Sequence, residues 1–311
     1  MPGHMAMQIE GVWATMLCRI DIDGEIDLAA IDEQVEAYAT AGCNGVYSGG
    51  TAAEIHSQSE VQFQEISTLF AAAARRHHLP FQIGATHPLA TGSLGRAAFA
   101  ATLAPDAIQV TLPDWTQLDT DGVHRFMIRV AEAAEGVPLV LYNPPHARTL
   151  LSPEQLDALI ARMPDLVGLK CGGGDAAWYA AMAPVLKRIS VFIQGHCYAS
   201  GRAMGAHGSY SNMACLNPTT AVAWAAMAPD AALALEARIA HFMEEAIAPV
   251  LARGLPGFAC DKAMAAAGFW THITPRLLWP QTGAIDADVA RIAEATHRHI
   301  PEFAEEALPL A

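Results

Sequence analysis

From Gly11 onward, short apolar runs rich in β-forming residues alternate with longer alanine-rich segments whose apolar positions recur at helical spacing. Eight runs stand out: Gly11–Met16, Gly45–Ser48, Phe81–Ala85, Ala107–Thr111, Pro138–Asn143, Leu166–Lys170, Val191–Gly195 and Gly208–Ser211. Their starts are separated by roughly 20–40 residues, which leaves room for one crossover helix between successive strands.

The helices between them carry their own signals. Asp27–Ala41 has helical periodicity, Ser152-Pro153-Glu154 reads as an N-cap with proline in the first turn, and Asp175 is placed to cap Ala176–Leu186. Glycine and proline fall between the elements, where they interrupt neither ladder nor helix.

Alternation of this kind predicts a parallel sheet of βαβ units. Eight units predict an α/β chain of the closed (β/α)8 barrel class, and the first strand ends in Met16-Leu17-Cys18 with no glycine fingerprint of an open dinucleotide-binding sheet. The expected division is a barrel over 8–228 and an α-helical C-terminal extension over 229–311, broken at Gly254-Leu255-Pro256-Gly257 and at Thr274-Pro275. The heptad Met1–Met7 contains Gly3-His4-Met5, a string often left by cloning or tag removal, and is set aside from the fold.

Composition narrows the function. The chain has 311 residues, 52% of them hydrophobic, and 18 Lys plus Arg against 32 Asp plus Glu give a formal charge of −14, so a nucleic-acid backbone would be repelled. No apolar run reaches the length of a membrane-spanning helix, and the N-terminus lacks the order of a signal peptide. Cys18, Cys43, Cys171, Cys197, Cys215 and Cys260 stand singly, with no spacing for a metal site, so reduced thiols in a cytoplasmic protein are expected. Neither a metal nor a dinucleotide cofactor is expected.

In a barrel of this class the site forms where the strands end at their C-terminal side. The second run is followed by Gly49-Gly50-Thr51-Ala52-Ala53-Glu54, whose amides and Thr51 hydroxyl can hold a carboxylate. The fifth ends in Tyr142-Asn143-Pro144-Pro145, and the sixth in Gly168-Leu169-Lys170-Cys171.

Only three lysines occur: Lys170, Lys187 and Lys262. Lys187-Arg188 sits where a helix C-terminus attracts cations, and Lys262 is read as lying on a solvated helix face. A lysine closing an apolar strand is the exception, because burial lowers its pKa and frees an amine that can attack a ketone. Tyr142 precedes it by 28 positions, one strand-helix-strand step, so phenol and amine should emerge on adjacent strands at one rim. His77-His78 is read as a capping, solvated pair and His196-Cys197 as local packing.

These residues resemble the dihydrodipicolinate synthase and N-acetylneuraminate lyase family of Schiff-base-forming barrels, over roughly Gly11 to Pro280. Gly50-Thr51-Ala52-Ala53-Glu54 matches the family's carboxylate-binding segment, Leu141-Tyr142-Asn143-Pro144-Pro145 its tyrosine motif, Gly168-Leu169-Lys170 its Schiff-base lysine, and Gly205-Ala206-His207-Gly208-Ser209-Tyr210-Ser211 its late glycine-rich strand. Asp23-Gly24 near the start also fits. The resemblance implies that Lys170, Tyr142 and Thr51 are catalytic and that Gly50, Ala52 and the main chain of Tyr210 bind a small 2-oxo acid such as pyruvate. It also implies no cofactor beyond the covalent imine, and assembly into a homodimer or homotetramer.

Departures bear on the substrate. Ala52 replaces a second hydroxyl, and Thr111-Leu112-Pro113-Asp114-Trp115 replaces a Pro-Tyr-Tyr segment that lends a tyrosine to a neighbouring subunit in the synthases. Arg148 is the displaced counterpart of an aldehyde-binding arginine, Gly172-Gly173-Gly174 removes side chains after the lysine, and Trp115 and His146 are candidates to line the mouth. The resulting expectation is an aldolase or dehydratase of a 2-oxo-3-deoxy acid. The alternatives are 4-hydroxy-tetrahydrodipicolinate synthase and a non-catalytic metabolite-binding barrel.

Overall fold

A computed structural model describes residues 9–268 and 270–304; the heptad Met1–Met7 and the far ends of both expected domains lie outside the described residues. Eight strands close into one parallel barrel in chain order: β1 Gly11–Thr15, β2 Gly45–Ser48, β3 Phe81–Gly84, β4 Ala107–Thr111, β5 Leu139–Asn143, β6 Leu166–Cys171, β7 Ser190–Gln194 and β8 Gly208–Tyr210. Pairing of Gly11 with Gly208 joins the last strand to the first. The (β/α)8 expectation is met, with strand ends displaced by a residue or two.

The crossovers are α1 Ala30–Thr40, α2 Glu60–Arg76, α3 Ala90–Thr102, α4 Thr120–Ala133, α5 Pro153–Ile160, α6 Ala176–Leu186 and α7 Tyr198–Ala203. After β8 follow α8 Met213–Leu216, α9 Pro218–Ala225, α10 Pro229–Phe242, α11 Ala248–Ala252, α12 Gly257–Ala267 and α13 Asp286–His299. The Ser152 hydroxyl accepts from the Gln155 amide while Gln155 reaches back to the Ser152 amide, and Asp175 accepts from the Trp178 amide at 2.9 Å, so both expected caps are present. The first helix starts later than its periodicity suggested. Asp27 forms an ion pair with Arg19 and turns the chain by accepting from the Ala29 amide, so the helix begins only at Ala30.

Two apolar layers result from the period-two alternation of the strands. Val12 and Ala14 of β1 face the helices, while Trp13 faces inward to join Tyr47, Val140, Phe192 and Tyr210 in a separate inner cluster. Trp13 meets Phe192 edge to face at 6.4 Å, and Tyr47 meets Tyr210 likewise at 4.7 Å. Such pairs contribute about 0.5–1.5 kcal/mol each beyond area burial. Gly45 makes the inner layer possible, since a Cβ there would sit 2.6 Å from the Trp13 ring.

The C-terminal helices belong to the same core as the barrel. A π-helical segment, Met243–Ile247, links α10 to α11, and the expected break at 254–257 is the turn between α11 and α12. Lys262 corrects the sequence reading: its side chain in α12 is fully buried and paired with an equally buried Glu54, 2.8 Å away. A charge expected in water is instead neutralised inside the protein, because α12 packs against α8 over the barrel's open end.

Candidate active site

At the C-terminal ends of the strands the barrel opens into a cavity of about 710 Å³. Thr15, Tyr47, Tyr142, Lys170, Gln194 and Tyr210 rise into it from β1, β2, β5, β6, β7 and β8. Thr51 and Ala52 contribute from the turn after β2, and Met243, Ile247, Phe258, Asp261 and Met264 from the C-terminal segments.

Tyr142 and Lys170 are direct partners in the β5–β6 register, so both side chains leave the sheet at one level and on one face. The Lys170 Nζ stands 4.3, 4.7 and 4.9 Å from the ring centres of Tyr142, Tyr47 and Tyr210, with a long contact of 3.5 Å to the Tyr47 hydroxyl. Burial pushes this amine down from the ordinary lysine value to about 8, and the nearby charge of Asp261 opposes that shift. The ring faces also favour the cation; desolvation outweighs both.

Burial raises the Tyr142 phenol, offset in part by a hydrogen bond with Thr51. Phenol, hydroxyl and amine therefore line one cavity, with the amine over the face of the phenol ring. Tyr210 is oriented differently. Its hydroxyl donates to Gln82 Oε1 at 2.6 Å inside the barrel, leaving its ring against Lys170.

The turn after β2 is shaped by a close backbone approach. A Cβ on Gly84 would lie 2.0 Å from the Gly49 carbonyl oxygen, so the turn can rest on β3 only while residue 84 has no side chain. Gly49 (φ 65°) and Glu54 (φ 57°) take left-handed conformations at the two ends of the turn. The Glu54 carboxylate is tied to Lys262 and to the Leu278 amide, which anchors Thr51 and Ala52 at the cavity wall.

Lys170, Tyr142, Thr51, Ala52 and Tyr210 thus share one cavity, and Gly50 lies beside it, where an added Cβ would come 3.9 Å from Lys170 Nζ. Two sequence candidates sit elsewhere. Arg148 is exposed, its backbone amide held by Asp114 Oδ1 at 2.6 Å, and Trp115, 87% exposed after β4, does not line the cavity. His146 does line it. So does His196, read from sequence as local packing; its amide donates to Asn212 Oδ1 and burial lowers its pKa.

Sequence reasoning missed Tyr47 and Asp261. Tyr47 had a signal: two residues after Gly45, it shares the inward phase of its strand. Asp261 had a weaker one, an Asp-Lys pair inside the otherwise uncharged helix Gly257–Ala267. Burial lifts the Asp261 carboxyl to about 6, with the Lys170 charge pulling it back. Among the described residues no group of three or more His, Cys, Asp or Glu is arranged to hold a metal ion, and no helix is long and apolar enough to cross a membrane.

Comparison with known proteins agrees with this geometry. The profile of the Dihydrodipicolinate synthetase family matches residues 8–276. A 4-hydroxy-tetrahydrodipicolinate synthase of Acidiphilium cryptum is 29% identical over 148 residues, 48% of this chain and 50% of that protein. An N-acetylneuraminate lyase of Escherichia coli is 26% identical over 173 residues, 55% of this chain and 57% of that protein. The matched part spans about half the length of these curated relatives. Among solved structures, the E. coli prophage protein YagE in complex with pyruvate superposes with TM-score 0.80 at 17% identity, covering 93% of this chain and 98% of that one. A catalytic-lysine mutant of the Ruminococcus gnavus sialic acid aldolase does so with TM-score 0.81 at 18% identity, covering 95% and 96%. At such identities the superpositions speak for the fold alone.

Proposed function

Because this chain belongs to the dihydrodipicolinate synthetase family, we propose that it is a class I lyase in which Lys170 forms an imine with pyruvate or another 2-oxo acid. The observation that carries the reading is the Lys170 amine itself, ringed by three tyrosines at the floor of a cavity and brought by burial to a pKa of about 8. At pH 7 about a tenth of such amines are neutral, against far fewer than a hundredth for a lysine in water. The relatives named above, a synthase and a lyase, belong to a family of Schiff-base enzymes.

In this reading the substrate carboxylate lies on the turn Gly50-Thr51-Ala52, and the neutral amine adds to the C2 carbonyl. The iminium that follows loss of water withdraws electrons from C3, so that the C3–C4 bond or a C3–H bond can break to leave an enamine; in a dehydratase that enamine then expels the C4 hydroxyl as water and becomes a conjugated iminium. Tyr142, in contact with Thr51, moves the protons that solvent reaches poorly. No cofactor beyond the covalent imine is required. Self-association into a homodimer or homotetramer, with the loop bearing the exposed Trp115 at a contact, and residence in the cytoplasm complete the proposal.

Within the family, an aldolase or dehydratase of a 2-oxo-3-deoxy acid is favoured over the synthase. The aldehyde substrate of the synthase carries a carboxylate of its own, and the only Lys or Arg lining this cavity among the described residues is Lys170, already committed to the imine.

Incubation with pyruvate and sodium borohydride tests the reading. Expected is one reduced adduct per chain, mapped to Lys170 and absent from Lys170→Ala; a panel of 2-oxo-3-deoxy acids then identifies the substrate by turnover. Unmodified wild-type protein across pyruvate and the whole panel would overturn it.

A further inference from the structure

Among the described residues, the fully buried charged side chains are held by partners. Glu54 accepts from Lys262 and from the Leu278 amide. Asp288, equally buried, accepts from Arg253, Arg291 and the Ile285 amide. Arg96, 2% exposed, donates to Glu60 and to the Thr86 carbonyl.

Asp261 has no such arrangement. It sits in α12 beside the buried Lys262, lines the same cavity as Lys170, and its carboxyl has neither a hydrogen bond nor an ion pair among the described residues. Phe258 and Met264, three positions away on either side along α12, line the same cavity, as does Cys215 of α8. The residue is only partly buried, so the carboxylate reaches the cavity space without a hydrogen-bond partner in return. Groups so placed are candidates for chemistry.

The groups that face it can be named element by element. Lys170 from β6, Tyr47 from β2, Tyr142 from β5 and Cys215 from α8 line the cavity with it and feel its charge, as does Tyr38 of α1 from outside the cavity lining. Cys260 is its neighbour on α12, and beyond Cys260 lie Arg253 and Asp288, already paired with each other. His196 lines the cavity, its pKa lowered by burial. Lys170 is the one unpaired cation of the set.

We propose that Asp261 is a further catalytic residue: it shares a single proton with Lys170, and that proton converts the carbinolamine hydroxyl into water. This rests on the imine reading above. Lys170 as the free amine adds its lone pair to C2, the N–C bond forms, and the π pair of the carbonyl moves to oxygen. One proton passes from nitrogen to that oxygen, leaving a neutral carbinolamine. Asp261 as the acid then protonates the hydroxyl, the C–O bond breaks, water departs, and the nitrogen lone pair closes the C=N bond. Amine plus carboxylic acid have become iminium plus carboxylate. Net charge is unchanged and no proton is drawn from solvent.

The carboxylate left behind is the counter-ion of the iminium. With Asp261 lifted to about 6 and Lys170 lowered to about 8, the pair keeps one proton between those two values. The two steps belong to the pair rather than to either residue.

The experiment follows imine formation from pyruvate alone, quenched with borohydride at timed intervals and read by mass at Lys170, from pH 5 to 9. Wild type, Asp261→Asn and Asp261→Glu are compared as full-length chains. Expected for wild type is a rate that peaks between about pH 6 and 8 and falls on both sides. Asp261→Asn should form the adduct 10²-fold or more slowly at pH 7 and lose the fall on the alkaline side, with part of the rate restored by Asp261→Glu. Its thermal midpoint should stay close to that of wild type, since the partly exposed carboxyl makes no hydrogen bond that the amide would break. An Asn variant with the wild-type rate and pH profile would overturn the proposal while leaving the imine intact, as would an Asn variant that is slow only because it unfolds. A wild type that traps no 2-oxo acid would overturn the imine reading and this one with it.

Discussion

Lys262 Nζ lies 2.8 Å from Glu54 Oε1 with both side chains wholly excluded from solvent, and the pair joins α12 to the turn that carries Thr51. Removing one partner strands the other charge in the core, so Glu54→Gln and Lys262→Met should each destabilise the protein by about 3–5 kcal/mol. The double variant should lose much less than the sum, because no charge is then left alone. Urea unfolding of the four proteins measures this; additive losses would show that the two residues act independently.

Lys170 should react as a far stronger nucleophile at neutral pH than a free lysine side chain. Its pKa is lowered, so the neutral form grows as pH rises, to about half at pH 8, while an unperturbed lysine reaches that point near 10.4. Labelling by an amine-selective acylating reagent across pH 6–11, read peptide by peptide, should show half-maximal modification of Lys170 near pH 8. A midpoint above 10 would mean that burial does not govern this amine.

Tyr142→Phe removes one hydroxyl from a half-buried ring and should leave the thermal midpoint close to wild type. If the phenol moves protons together with Thr51, turnover on the substrate identified by the panel should fall by about 10²–10⁴ while the ring still covers Lys170. Steady-state kinetics decide between this and a purely packing role, for which the rate would not change.

Gly84→Ala should disturb the carboxylate turn without touching any reacting group. The new methyl would overlap the Gly49 carbonyl, so the turn must move away from β3. A loss of about 1–3 kcal/mol is expected from the overpacking, together with a rise in the pyruvate concentration needed for half-maximal trapping at Lys170. Unaltered trapping would place the carboxylate elsewhere.

Most of the architecture was legible because it is written in local periodicities. Runs such as Phe81–Ala85 and Ala107–Thr111, bounded by glycine, proline and helical segments, have few other ways to bury themselves, and the Ser152 and Asp175 caps mark helix starts with short-range chemistry. Lys170 stood out for a related reason, since an ammonium at the end of an apolar strand conflicts with its surroundings. Its relation to Tyr142 followed from parallel register, which carries adjacent strand ends to one rim.

Residues whose meaning depends on distant partners were not legible. Lys262 and Asp261 are consecutive on α12, and no local rule tells which is neutralised by Glu54, 208 positions away from Lys262, and which is left facing the cavity. The same holds for Arg148 and Trp115, which are exposed and do not line the cavity. Periodicity and breakers in the chain itself determined the barrel and the strand ends where chemistry would gather. Tertiary packing of α12 over those ends decided which charges are paired, which face the cavity without a partner and how far their proton affinities move, because desolvation and Coulomb energy depend on separation in space rather than along the chain.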